Sequence, residues 1–170
     1  MIARLITFAL SNFTLTLLVI GLLFSLFSLI RRHPQGQGEI VDAFLRWFIF
    51  FSIGVSYLYN FVMHVFFAEM VAGFIGWANS PFQYEVGYAS LGFAAVGFIA
   101  FRQGLAFRTA AIVGPAFFLW GAAGGHIYQI VTAHNFAPGN AGVILWTDIF
   151  LPFAGLILLA LQRRYPVKTA

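Results

Sequence analysis

The sequence predicts an all-α integral membrane bundle of about five transmembrane helices, and three observations carry that prediction. Of 170 residues, 61% are hydrophobic and only 8% are charged, which is too little polar surface for a water-soluble domain of this size. Five stretches are apolar for about 20 residues, the length that a helix rising about 1.5 Å per residue needs to cross a hydrocarbon core of about 30 Å. The basic residues gather at the ends of those stretches. No linker and no solenoid-type repeat divides residues 1–170, so a single domain is expected. The absence of cysteine removes disulfides and thiolate-ligated metal from consideration. A net charge of +4 would suit a nucleic-acid partner in a soluble protein. Here the cations sit where topology signals sit, so the expected partner is the lipid bilayer and not nucleic acid.

The first segment, 5–30, is about twice the length of a signal-peptide core and ends in Arg31, Arg32, His33 and Pro34 instead of a cleavage site, so it is expected to stay as a helix. The second begins near Ile40 and runs without proline to about Trp77. Its opening turns carry Glu39, Asp42 and Arg46 at spacings of three and four, with Asp42 and Arg46 paired, which places that end outside the hydrocarbon. The third segment, 81–101, follows Ser80-Pro81-Phe82-Gln83, a capping-box pattern in which Gln83 reaches back to the helix start. The fourth, 107–133, and the fifth, 141–162, are joined through Ala137-Pro138-Gly139-Asn140. Pro-Gly predicts a type II turn there and Asn140 a cap for the following helix, which makes the two helices neighbours.

Basic residues set the expected orientation. Arg31, Arg32 and Arg46 flank the first connection, Arg102 and Arg108 the third, and Arg163, Arg164 and Lys168 the C-terminal end, while the second and fourth connections carry none. This predicts an N-terminus outside and a C-terminus in the cytoplasm, with Arg4 the one cation on the outer side.

Three of the five acids, Glu69, Glu85 and Asp148, lie inside strongly apolar segments. His64 falls 18 residues beyond Arg46 and His126 falls 18 beyond Arg108, about 27 Å each at the helical rise. Glu85 and Asp148 lie 17 and 15 residues from Arg102 and Arg163, about 26 and 23 Å. Four helices thus present an ionisable group at nearly one depth, with Glu69 roughly 8 Å further out and with Gln129 and His134 continuing outward from His126. A charge at the centre of a bilayer costs at least about 2.5–3.5 kcal/mol, so such groups face the bundle interior and pair. The expectation is a ligand site of Glu69, Glu85, His126, Gln129 and Asp148, with His64, Glu69, His126 and Asp148 as candidate metal ligands.

Plainer roles stand beside these. His64, one turn from Asn60, suits an interhelical hydrogen bond. His126 follows "GAAGG", small residues that let a helix approach a neighbour closely, and Gly87, Ser90, Ala94 and Gly97 form a similar stripe read as packing alone. Glu85 sits in a first helical turn, where the macrodipole favours a carboxylate. Trp77 and Trp146 suit interfacial anchoring. No phosphate loop, HExxH or Ser-His-Asp pattern is present, so any chemistry belongs within or at the membrane.

Four functions fit. The layer can bind a divalent metal (zinc, iron or manganese), since imidazole and carboxylate serve all three. His64 and His126 can ligate b-type haem in an electron-transfer subunit. The cluster can be the proton-coupled or substrate site of a small transporter, expected to be a homo-oligomer. It can also be internal glue in an accessory subunit of a larger membrane complex. The stretches "GWANSPFQYEVGYASLG" and "GHIYQIVTAHNFAPGNAG" resemble a family of small bacterial multi-pass membrane proteins, a domain of unknown function, over roughly residues 40–160. That resemblance implies a bacterial inner-membrane protein and supplies no activity.

Overall fold

The computed structural model describes residues 1–167, so Lys168 lies outside the described residues. Among those residues the chain is helical, with no strand. The first apolar segment forms two helices, α1 (Ile2–Ser11) and α2 (Phe13–Arg32), where one was expected. The break falls at Asn12, whose side-chain amide donates to the Phe8 carbonyl at 2.9 Å, a local bond that competes with the helix. Arg4, Thr7 and Ser11 recur along α1 at helical spacing, opposite Ile2, Leu5 and Ile6, and none of its residues is buried.

The second segment is likewise not one unbroken helix. It runs as α3 (Gln37–Phe48), a π-helical stretch (Ile49–Val55), α4 (Ser56–Phe66) and α5 (Ala68–Ile75). Phe67, at φ −131 and ψ 35, interrupts it, and Gly76, at φ +76, ends α5 in the left-handed region that glycine adopts without strain. The remaining helices are α6 (Phe82–Ala100), α7 (Leu105–Ala133), the single turn α8 (Pro138–Ala141) and α9 (Val143–Arg164). Their limits agree closely with the expected third, fourth and fifth segments.

Packing follows the small-residue stripe. Gly87, Ser90, Ala94 and Gly97 are all buried on α6, which lies along α4 and the π-helical stretch. A Cβ on Gly97 would stand 2.7 Å from the Gly54 backbone nitrogen, so the two backbones meet where no side chain fits. Helix α7 packs along α9, as their short connection led us to expect. Leu45, Phe48, Ile49, Ile53, Tyr57, Ile112 and Leu151 join these elements in one core. Large apolar side chains such as Phe27, Ile99, Phe117, Phe150 and Ile157 point outward instead.

Four helices are long and apolar enough to cross a membrane: Phe13–Arg32, Gln37–Phe66, Leu105–Ala133 and Pro138–Arg164. Helix α6 is not among them, because Gln83 and Glu85 lower the mean hydropathy of its first turn. The connections separate by charge. At one end Arg108 donates to Asp42 at 2.6 Å and to the carbonyls of Ala100 and Phe101, and Arg46 lies 3.6 Å from Asp42. The Gln162 amide reaches the Gly38 carbonyl at that same end. Arg108, read from sequence as a loop cation, is buried there. At the other end, the two connections without cations meet, with the Asn135 amide donating to the carbonyls of Ile75 and Gly76.

Candidate functional site

Asn140 organises a buried polar cluster at the uncharged end. It is fully buried, and it does not cap the next helix, which begins at Val143 after Gly142 with no side-chain cap. Nor does Pro138-Gly139 make the expected type II turn; Pro138–Ala141 forms the helical turn α8. The turn carries the Asn140 side chain inward, where its amide nitrogen donates to the carbonyls of His126 (3.2 Å) and Asn135 (2.9 Å). Its oxygen accepts from the Trp77 indole at 3.0 Å and contacts His126 Nδ1 at 2.8 Å.

These partners fix the chemistry of the histidine. An indole N–H can only donate and a backbone carbonyl can only accept, so the orientation of the Asn140 amide follows from its neighbours. Nδ1 of His126 therefore faces an acceptor and carries a proton. The position left to gain or lose a proton is Nε2, which lies 3.7 Å from Oδ2 of Asp148. That separation is longer than a hydrogen bond. Asp148 is 4% exposed and His126 5%, and the Asp148 carboxylate accepts no hydrogen bond among the described residues. The Trp77 ring covers the imidazole, with centroids 5.4 Å apart. Beside Asp148 the Thr147 hydroxyl meets Thr14, which ties α9 to α2.

A second polar contact joins α4 to α6. His64 Nδ1 lies 2.6 Å from Gln83 Oε1, and the Asn60 amide donates to the Ser90 hydroxyl at 2.9 Å. Gln83 thus bridges helices instead of closing a capping box, because its side chain turns to α4 and leaves the start of α6 without a side-chain cap. Asn60 and His64 are the interhelical bonds that their spacing suggested.

The expected layer does not converge as a whole. His126 and Asp148 come together; His64 belongs to the other contact. Glu69 and Glu85 are exposed, His134 is exposed at the end of α7, and Gln129 is half-buried. Among the described residues no group of three or more histidines and acids is placed to hold a metal, so the set of His64, Glu69, His126 and Asp148 is not assembled. Depth along a helix was matched; direction around it was not. Of the glycines in "GAAGG", Gly121 and Gly124 face open space and only Gly125 meets Trp77. Sequence reasoning missed Asn140 and Trp77, which it placed at a cap and at the interface. The signal for Asn140 was its fit to two roles, since asparagine also serves as a buried bridge between carbonyls and donors.

A family model described as a family of unknown function (DUF6790) matches residues 11–168. The chain belongs to DUF6790. The match takes in both stretches that carried the resemblance and extends it to the first long apolar helix. No curated protein and no solved structure matches the chain. The DUF6790 region contains every residue of the Asn140 cluster and excludes most of α1.

Proposed function

We propose that this DUF6790 chain is a multi-pass membrane protein whose Asp148–His126 pair takes up and releases a proton, the working site of a small proton-coupled membrane protein. The observation that carries the reading is the geometry of the pair. A carboxylate 4% exposed, without a hydrogen bond among the described residues, faces the one imidazole nitrogen whose proton is not fixed. A lone charge inside a membrane bundle is costly, so the resting pair is neutral and holds one proton between Oδ2 and Nε2. Closing 3.7 Å to a hydrogen bond needs a shift of about 1 Å, which makes the pair responsive to movement between α7 and α9.

The donor set favours a proton over a metal. His126 and Asp148 offer two ligands where zinc, iron or manganese sites use three or more protein groups. The haem reading fares no better, because the free nitrogen of His126 faces a carboxylate at a distance that leaves no room for a macrocycle. Glu69, Glu85, Gln129 and His134, outside the pair, are candidates for approach to the site.

Five crossings remain the preferred topology, formed by α2, α3 to α4, α6, α7 and α9. Helix α6 supports this with 19 residues, roughly 28 Å, packed between helices on both sides. The basic end then faces the cytoplasm and the Asn140 end the outside, in a bacterial inner membrane, as a homo-oligomer or within a larger membrane complex.

Nitrogen-15 NMR of His126 across pH in lipid bilayers tests the reading. Nδ1 is expected to stay protonated while Nε2 titrates, and Asp148→Asn is expected to move that profile. An Nε2 signal indifferent to both pH and Asp148→Asn would remove the proton site. Near-stoichiometric metal lost in His126→Ala would replace it with a metal site.

A further inference from the structure

One turn inward from Asp148, on the same buried face of α9, lies Pro152. Proline has no N–H, so the Asp148 carbonyl loses its i+4 donor; Pro115 in α7 does the same to the Ala111 carbonyl. Both prolines line a small cavity of about 20 Å³ beside the π-helical stretch. Two side-chain hydroxyls line the same space. Ser52 is 4% exposed and its Oγ has no hydrogen-bond partner among the described residues, while the Tyr57 hydroxyl makes a long 3.4 Å contact with the Pro115 carbonyl.

These features need a common explanation. An unsatisfied hydroxyl in a bundle interior costs about 1–3 kcal/mol, and backbone groups freed by proline within a membrane are re-satisfied by side chains or ordered water. A water needs about 10–15 Å³ of such space and two to four polar partners. The cavity exceeds that volume, and the hydroxyls of Ser52 and Tyr57 line it together with both prolines. The opening in the backbone ladder, the unpartnered serine and the space coincide in a core where Ile112 and Leu151 otherwise fill the contact.

We infer that this cavity binds one water molecule, held by the Ser52 and Tyr57 hydroxyls beside Pro152, which places a polar site one helical turn from the Asp148–His126 pair toward the basic end. The inference rests on the proton-site reading for its role, and on the cavity alone for its existence. The water lies against Pro152, one turn from the residue that bears the carboxylate, so its presence changes the electrostatics felt by the pair. The π-helical stretch has a part in this, since its wider turn carries Ser52 at the place where the prolines of α7 and α9 face it.

Magnetisation transfer from water to the protein, measured by magic-angle-spinning NMR in lipid bilayers, tests it with water itself as the probe. Transfer is expected to reach Ser52 and Tyr57 as quickly as it reaches exposed Glu69. In Ser52→Val, which fills the space, it is expected to vanish at Tyr57 and persist at Glu69. Absence of transfer at both buried sites in the unmodified chain, or equal transfer at Tyr57 in Ser52→Val, would overturn the site. If Ser52→Val does not fold, Ser52→Ala removes one polar partner and should at least halve the transfer at Tyr57; unchanged transfer there would overturn the site equally. The His126 Nε2 profile on the same samples reads the link. A shift in Ser52→Val supports it; an unmoved profile overturns it. A wet cavity beside an Nε2 that never titrates would show that the pair reading, and with it the role of the water, had failed while the water remained.

Discussion

Asn140 shows how much of the site depends on single polar atoms. Its side chain holds four partners from α7, the connection after it and Trp77. Replacing it with alanine leaves a buried indole N–H and an imidazole N–H without acceptors, at about 1–3 kcal/mol for each buried group. Asn140→Ala is therefore expected to destabilise the protein by about 2–3 kcal/mol in unfolding measurements in mixed micelles. Glu69→Ala and Glu85→Ala, at exposed positions, are expected within about 0.5 kcal/mol of the parent. An Asn140→Ala as stable as these two would show that the network contributes little. At this scale the sequence disclosed the residue types and their depth. It identified His126 and Asp148 but grouped Glu69 and Glu85 with them, because spacing from the arginines measures height and says nothing of which way a side chain faces.

At the scale of elements, the long helices were legible from their apolar length and the breaks within them were not. Asn12 and Phe67 interrupt helices without proline or glycine, through a side-chain bond in one case and an irregular backbone in the other. The π-helical stretch has no compositional mark either; it lies where α6 presses on Gly54. That contact predicts a sharp contrast. Gly97→Val places branched carbons against backbone atoms and is expected to cost about 1–3 kcal/mol of stability. Gly92→Ala, with nothing within 4 Å, is expected to be neutral or slightly stabilising. Equal stability of the two variants in micelle unfolding would contradict the close approach of α6 and the π-helical stretch.

For the whole molecule, the charge pattern and the contacts agree on which connections share an end. The basic connections meet through Asp42, Arg46 and Arg108, and the uncharged ones through Asn135, Asn140 and Trp77. Loop charge made that grouping readable in advance; the burial of Arg108 was not, because an arginine beside a loop looks the same whether it faces water or an aspartate. Arg108→Ala leaves Asp42 without its shortest partner and is expected to cost about 2–3 kcal/mol, less than a fully buried pair because Asp42 is partly exposed. The topology is open to a direct check, since the sequence has no cysteine of its own. Single cysteines at Ser80 and Phe136 are expected to react with an impermeant maleimide from one side, and cysteines at His33 and Gln103 from the other. Labelling of all four from one side would rule out five crossings.

The central claim is that Asp148 and His126 share a proton, and infrared spectroscopy of the carboxylic-acid carbonyl stretch tests it most directly. In lipid-reconstituted protein titrated with acid, the account predicts an acid band that grows as the pH falls, disappears in Asp148→Asn and shifts in His126→Ala. An acid band unaffected by either substitution, or a spectrum that does not change with pH, would contradict it.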